Sequence, residues 1–385
     1  MSIRFAHISD THLGFQDLEI VNSEGINARE ADIYRAWHTA VDMIIKEGPD
    51  VMVHTGDFFH RPCPTNRALI EGLSGLKKIT EAGIPVVIIA GNHSTPRTIY
   101  TSPILKSLQS IDNVHPIFKE TYEQLEINNV VFHGVPHINE ENRAIEELFK
   151  ATPVPGKINI LMLHTSIGAD YLMEEYGERV FPNDKLPFLD EFDYTALGHF
   201  HSHKHIKKSK STWYSGASER FSEKDAGKEK GFLIVTIPES DIPDVEFIAL
   251  PIRPWFRFSV ENCHEKTVEE IKAEISEFSK KEINTDAIIS LQLNNLKPVQ
   301  SLNLSNTDLF KMFPGSFTVQ TRRTFIEETF SLLHREIKKE SLLSLFSDYT
   351  KEHADSEEEA KQLVTAVKKY FSAWEKEKTD AGEIS

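Results

Sequence analysis

Five short stretches of this chain bring oxygen and imidazole donors together: "DTH" (10–12), "GDFFH" (56–60), "GNH" (91–93), "LHT" (163–165) and "GHFH" (198–201). Asp10, His12, Asp57, His60, Asn92, His93, His164, His199 and His201 are all groups that hold cations or move protons. In Asp10/His12 and His199/His201 the donors are two residues apart, so in extended backbone they project to the same side. One cation takes roughly four to six such donors, so this inventory is large enough for two. Mixed carboxylate and imidazole donors suit manganese, iron or zinc. The lack of thiolate disfavours a closed structural zinc site, and Cys63 and Cys263 fit no zinc spacing. The alternation continues through His203 and His205, which read as an exposed β-edge. Lys204, Lys207, Lys208 and Lys210 follow, the densest basic group near any of the five stretches. Either they form a solvated turn or they contact phosphate. Arg29, Arg61 and Arg67 follow donor stretches and are candidates for the same contact.

Donors scattered over 190 residues must be gathered by a scaffold. "IRFAHISD", "DVMVHTGD", "IPVVIIAGNH", "VVFHGVPH", "INILMLHTS", "YTALGHFHSH", "STWYSGASE" and "GFLIVTI" read as strands. "DIYRAWHTAVDMIIKEG" carries a helical apolar stripe at Ile33, Ala36, Trp37, Ala40, Val41, Ile44 and Ile45. This alternation predicts an α/β layered domain over residues 1–250, with the donors where strands end. His7, His54 and His133 fall within strands and are expected in the core or behind the donors. From Pro251 the texture changes. "PIRPWFRFSV", the amphipathic "TVEEIKAEISEFSKK", "AIISLQL" and "SFTVQTRRTF" predict a small α/β domain over 251–324. Residues 325–385 read as helical in two pieces. Ser356 and Glu359 form a capping box in the second, and Ala360, Leu363, Val364, Val367, Phe371 and Trp374 share one face. That face is either core or a docking surface.

The formal net charge of −16 argues against a generic nucleic-acid binder, although a local basic track is compatible with it. Residues 325–385 hold 9 Lys and Arg against 14 Asp and Glu, so part of that acidity sits in the helical tail. With two cysteines, no apolar leader and no run of the ~18–20 apolar residues that span a bilayer, a cytoplasmic protein is expected, with no membrane contact.

The ordered series D-x-H, G-D, G-N-H, isolated His and G-H-x-H resembles the calcineurin-like metallophosphoesterase family. "HISDTHLG", "NAREADIYRAW", "GDFFHRPCPT", "ALGHFH", "YSGASER" and "KGFLIV" narrow the likeness to the SbcD-type nuclease subunits of DNA double-strand-break processing complexes, over about residues 3–237. The resemblance implies a layered metallophosphoesterase β-sandwich flanked by helices, then a small α/β capping domain and C-terminal helices. It implies two Mn²⁺ ions, with Mg²⁺, Fe²⁺ or Zn²⁺ possible at the same site. Asp10, His12 and His201 would hold one ion; Asn92, His164 and His199 the other; Asp57 would bridge them. His93 would protonate the leaving 3′ oxygen or stabilise the transition state, and His60 would support it at the scissile phosphate. The family usually has Asp or Glu after G-N-H. Here it is Ser94, which implies weaker positioning of His93 or a hydrogen bond from the serine instead.

The implied function is a nuclease acting as a 3′-to-5′ exonuclease on duplex ends and an endonuclease on single strands. The implied partners are DNA, an SbcC-type SMC-like ATPase docking on the C-terminal helices, and a second copy through the nuclease domain. Such a protein would be nucleoid-associated. The alternatives are a metallophosphoesterase acting on a small phosphodiester or a phosphoprotein, and an interaction subunit with weakened catalysis, for which Ser94 is the support.

Overall fold

The computed structural model describes residues 2–96, 98, 100–173, 178–238, 242–282 and 286–326, and short stretches between 346 and 370. The chain divides by internal contacts into Met1–Phe256 and Arg257–Ser385.

The first unit is built on two six-stranded sheets. One runs, in spatial order, Asp244–Ala249, Gly231–Ile237, Ile3–Ile8, Val51–His54, Val86–Ile89 and Val114–Ile117. Its last four strands are parallel, and Gly231–Ile237 is antiparallel to both of its neighbours. The other runs Lys204–His205, Thr212–Tyr214, Tyr194–Gly198, Ile158–His164, Val130–Val135 and Glu123–Ile127. Its middle four are parallel, with an antiparallel strand at each edge.

Both sheets are buried on two faces, which is why their central strands read as continuous apolar runs rather than alternating ones. Phe5, Val53, Val87 and Ile89 of one sheet share a core with Phe132, Ile160, Met162 and Tyr194 of the other. The outer face of the first sheet is covered by the helices Ala28–Glu47 and Asn66–Glu81, through Ile33, Trp37, Val41, Leu76 and Ile79. Asn27 caps the first helix by accepting from the backbone N–H groups of Arg29 and Glu30, and Gly48 ends it in the left-handed conformation. Leu148, Leu186 and Leu189 pack on the outer face of the second sheet. The result is a helix–sheet–sheet–helix sandwich. In each parallel set the strands point the same way, so their C-terminal loops collect at one end.

The sequence reading placed these central strands and the helix over 33–45. It did not single out Val114–Ile117, Glu123–Ile127 or Asp244–Ala249. Each is a lateral or edge strand with exposed or mixed residues, and Glu123–Ile127 alternates half-buried and exposed positions.

The strand Trp255–Val260 runs across the boundary and forms a three-stranded sheet with Ile288–Leu296 and Thr318–Phe325 of the second unit, which also holds the helix Val268–Glu282. Residues 361–368 are helical. Glu359, Ala360, Phe371 and Trp374, on which the capping box and apolar face depend, lie outside the described residues. Among the described residues no helix is long and apolar enough to cross a membrane.

Candidate metal centre

The five donor stretches converge. Asp10 and His12 follow strand Ile3–Ile8, Asp57 follows Val51–His54, Asn92 and His93 follow Val86–Ile89, His164 ends Ile158–His164, and His199 follows Tyr194–Gly198. Asp10, His12, Asp57, Asn92, His164, His199 and His201 are all buried; His60 and His93 are half-buried. Donor atoms of Asp10, His12 and His201 lie within 4.8 Å of one another, as do those of Asp10, Asp57 and His164, and those of His12, His60 and His93.

Backbone shape fits this purpose. Asp10, His12, Asp57 and His199 have φ of 51°, 43°, 51° and 97°. Non-glycine residues avoid that region at a cost of about 1–3 kcal/mol each, and where it recurs among potential ligands it points to a functional constraint. The loops are tied together by main-chain bonds from Asp10 to the Gly56 carbonyl (3.1 Å) and from His12 to that of Asp57 (2.9 Å). Two motif glycines permit the close approach. A Cβ at Gly91 would stand 2.2 Å from Asp57 Oδ1, and one at Gly198 would stand 2.0 Å from the Thr55 carbonyl oxygen.

Each carboxylate and ring has a defined setting. Asp57 Oδ1 accepts from the backbone N–H of His93 (2.9 Å), while its buried Oδ2 has no hydrogen-bond partner and faces His164 Nε2 at 3.2 Å. His164 donates Nδ1–H to the Thr55 carbonyl (2.8 Å), which turns Nε2 toward Asn92 Oδ1 (2.9 Å) and Asp57. Burial opposes charging this ring, but Asp57 outweighs it and raises the His164 pKa to about 9. Without a cation, a proton therefore occupies the point where two oxygens and one nitrogen converge. A cation bound there would displace it. Asp57 itself is held well below the usual carboxylate range: burial opposes this, and His164 and His93 overcome it. Burial, then His93, push the His12 pKa well down, leaving a neutral ring. Its Nε2 lies 3.3 Å from His201 Nε2. An orphaned buried carboxylate oxygen and facing imidazole nitrogens form a donor set that fits divalent cations.

His93 donates Nδ1–H to the His60 carbonyl (2.9 Å), so Nε2 is the nitrogen left for chemistry. His60 also stacks on it, with ring centroids 5.0 Å apart. Ser94 does not substitute for the missing acidic residue: its hydroxyl is buried with no hydrogen-bond partner. The His60 carbonyl holds the ring instead.

His199 stands apart from the three donor sets. Its ring packs against His164 at 5.3 Å between centroids, and its Nε2 bonds Glu178 Oε1 at 2.8 Å. Glu178 was not legible in the sequence, since "EEYGER" fits no donor spacing. Burial resists its ionisation, but hydrogen bonds from His199, Ser166 and Met173 outweigh this and lower its pKa to about 2. Phe221, also missed, lies edge-on to His12 (4.8 Å) and tilted on His201 (5.0 Å).

The basic candidates separate. Lys204 and Lys207 line an open cleft with Tyr171, Phe200, His203 and Lys228. Lys208, Arg61 and Arg67 are exposed. Arg29 is a correction. Its side chain is 1% exposed, bonded to Asp32 (2.6 Å) and the Arg220 carbonyl (2.6 Å), with Glu219 at 3.5 Å, so it cannot meet a phosphate from this position. His203 stacks on Phe247 (3.8 Å) and His205 packs on Trp213 (4.7 Å), both away from the donor sets. His7, His54 and His133 are buried; His7 and His54 are each lowered to about 3, by burial first.

Comparison with known proteins matches residues 3–206 to the family described as calcineurin-like phosphoesterase. A protein called DNA double-strand break repair protein Mre11, from Sulfurisphaera tokodaii, is 30% identical over 256 residues, 65% of this chain and 63% of that protein. The protein of the same name from Methanocaldococcus jannaschii is 30% identical over 67% of this chain and 69% of its own length. That from Sulfolobus acidocaldarius is 25% identical over 95% and 94%. The chain thus spans 63% of the first of these relatives and nearly all of the last. A solved dimetal phosphatase from Danio rerio overlaps 62% of the chain at 12% identity and a TM-score of 0.39. By the matched segment and these relatives, the chain belongs to the calcineurin-like phosphoesterase family of metal-dependent hydrolases, in its Mre11 branch.

Proposed function

We propose that this protein is a Mn²⁺-dependent DNA nuclease of double-strand-break processing, cutting phosphodiesters as a 3′-to-5′ exonuclease on duplex ends and an endonuclease on single strands. The observation that carries it is the hub at Asp57. One oxygen is fixed by the His93 N–H, and the other is bare and buried between His164 and His12. Asp10, His12 and His201 would hold one cation and Asn92, His164 and His199 a second, and Asp57 would serve both. Two such ions supply Lewis-acid charge stabilisation and an acidified water.

The chain's own residues do the rest. Asn92 contributes a neutral oxygen, which keeps the site's charge positive toward an anionic substrate. The His60 carbonyl holds His93 Nδ1–H, so His93 presents Nε2 at the half-buried mouth and gives a proton to the departing 3′ oxygen. His60 itself supports that ring against the scissile phosphate. Lys204, Lys207, Lys208, Arg61 and Arg67 contact the DNA backbone; such contacts position without reading sequence.

Residues 251–324 act as a capping domain, and residues 325–385 dock on an SMC-like ATPase. The match to an Mre11 protein over 95% of this chain supports including those segments. Much of the DNA affinity of so acidic a chain then comes from that partner or from a second copy paired through the nuclease domain. The relatives' shared name, DNA double-strand break repair protein, supports DNA over small esters as substrate and a nucleoid-associated location.

The deciding experiment incubates the full chain with Mn²⁺ and linear or hairpin DNA, beside p-nitrophenyl phosphate esters. Chelator-sensitive loss of DNA is expected. Turnover of the small esters with DNA intact would overturn the nuclease reading. Failure to bind Mn²⁺ in calorimetry would point to a non-catalytic subunit.

A further inference from the structure

We infer that Glu178 is a positioning residue that fixes the tautomer of His199, presenting Nδ1 rather than Nε2 to the metal centre. The inference rests on the reading above, in which His199 is a ligand.

The neutral imidazole has one N–H and one lone pair, and whatever holds the N–H decides which nitrogen can bind a cation. The centre uses this logic twice already. The Thr55 carbonyl takes Nδ1–H of His164 and aims its Nε2 inward. The His60 carbonyl does the same for His93. At His199 the pattern is reversed. The Glu178 carboxylate oxygen accepts at Nε2, 2.8 Å away, so the N–H is held there and Nδ1 is the nitrogen with a lone pair. The main chain agrees with this choice. His199 has φ of 97°, and its backbone N–H donates to both Asp10 oxygens at 3.1 Å, which ties its main chain to the Asp10 carboxylate while Glu178 holds the far nitrogen of the ring.

Glu178 is itself held firmly. Its Oε1 also accepts from the Ser166 hydroxyl (2.5 Å) and from the Met173 backbone N–H (2.9 Å). Ser166 lies two residues beyond His164, and the Tyr214 hydroxyl anchors that turn by donating to the Thr165 carbonyl and accepting from the Ile167 N–H, each at 2.8 Å. One carboxylate therefore couples the loops that carry His164 and His199.

The test compares Glu178→Ala and Glu178→Gln in the full chain. The first readout is the ¹⁵N spectrum of the histidine rings in metal-free protein, with His199 assigned by its absence from the His199→Asn spectrum. The second is Mn²⁺ titration by calorimetry. The wild type should show His199 protonated on Nε2. The alanine variant should lose that tautomer and bind one of two ions about 10–100-fold more weakly, the usual effect of removing a group that orients a ligand. The glutamine variant, whose carbonyl can accept the same N–H, should restore most of both. A wild-type ring protonated on Nδ1 overturns the inference, and this result needs no variant to fold. So do glutamine and alanine variants that are equally impaired, and an alanine variant that binds both ions normally. If the wild type binds no Mn²⁺, the metal reading fails, and the ring spectrum still decides the tautomer.

Discussion

Arg29 offers a sharp test, because its sequence position suggested a phosphate contact and its surroundings give it another task. Replacing it with Met keeps a flexible side chain and removes the charge. Four things are lost: the bond to Asp32 (2.6 Å), the bond to the Arg220 carbonyl (2.6 Å), the approach to Glu219 (3.5 Å) and the stacking of the guanidinium over the Trp255 ring (5.6 Å). Asp32 keeps two partners, Arg253 (2.7 Å) and Arg35 (3.0 Å), so its share of the cost is modest. Glu219 does not. Burial already raises its pKa, and Arg29 is the leading group pulling it back. Breaking a buried ion pair from one side costs about 3–5 kcal/mol, and the surviving partners of Asp32 place this case near 3 kcal/mol. For a unit of this size that lowers Tm by roughly 6–12 °C.

Adding Glu219→Gln should return part of the loss, since the stranded charge is then gone. A double-mutant cycle should give a coupling of about 0.5–3 kcal/mol. The companion assay is DNA affinity against salt. A residue that meets a phosphate contributes about 0.9 to the slope of log K on log salt, and Arg29→Met should leave that slope unchanged. A variant that melts with the wild type while losing about one unit of slope would refute the core reading and restore the phosphate contact.

Gly91→Ala pushes a methyl to 2.2 Å from Asp57 Oδ1. It should cost about 1–3 kcal/mol of stability by overpacking and weaken Mn²⁺ binding in calorimetry at least tenfold. His93→Gln should leave Mn²⁺ binding within a few-fold and cut the single-turnover cleavage rate by about 10²–10⁴, the usual worth of a general acid. Equal loss of binding and rate would make His93 a ligand instead. Glu147 is held near a pKa of about 2, by Lys150 first and then by the Tyr122 N–H. Its folded pKa is depressed, so its contribution is complete above about pH 4.5 and fades as pH falls toward 2. Glu147→Gln should cost about 1 kcal/mol at pH 7, after allowance for solvent around Lys150, and the gap in urea midpoints should narrow as pH falls from about 4.5 toward 2. A gap independent of pH would mean the charge contributes nothing.

The donors were legible because metal chemistry restricts residue type and strand ends restrict place; both constraints leave marks in a linear sequence. What positions the donors leaves fewer marks. His93 is oriented by a carbonyl at His60 and His164 by a carbonyl at Thr55, and any residue has a carbonyl. Glu178 reaches His199 across 21 residues, so no spacing announces it. The motifs that narrowed the resemblance behave differently again. "NARE" and "YSGASER" meet in space through Arg29, Glu219 and Arg220, with Arg29 and Glu219 buried. Ser215 sits against Ser9, whose hydroxyl donates to Asp10. The lysine of "KGFLIV", Lys230, donates to the His201 carbonyl (2.5 Å) and to Asp225 (2.7 Å). A motif outside the donor set is thus no evidence of substrate contact. In this chain such motifs brace the fold, and a charged brace such as Lys230, buried against His201, reads in sequence just like a charged residue facing DNA. Burial is the variable that separates the two, and it depends on which strands become neighbours. That is the part of the fold a local pattern does not encode.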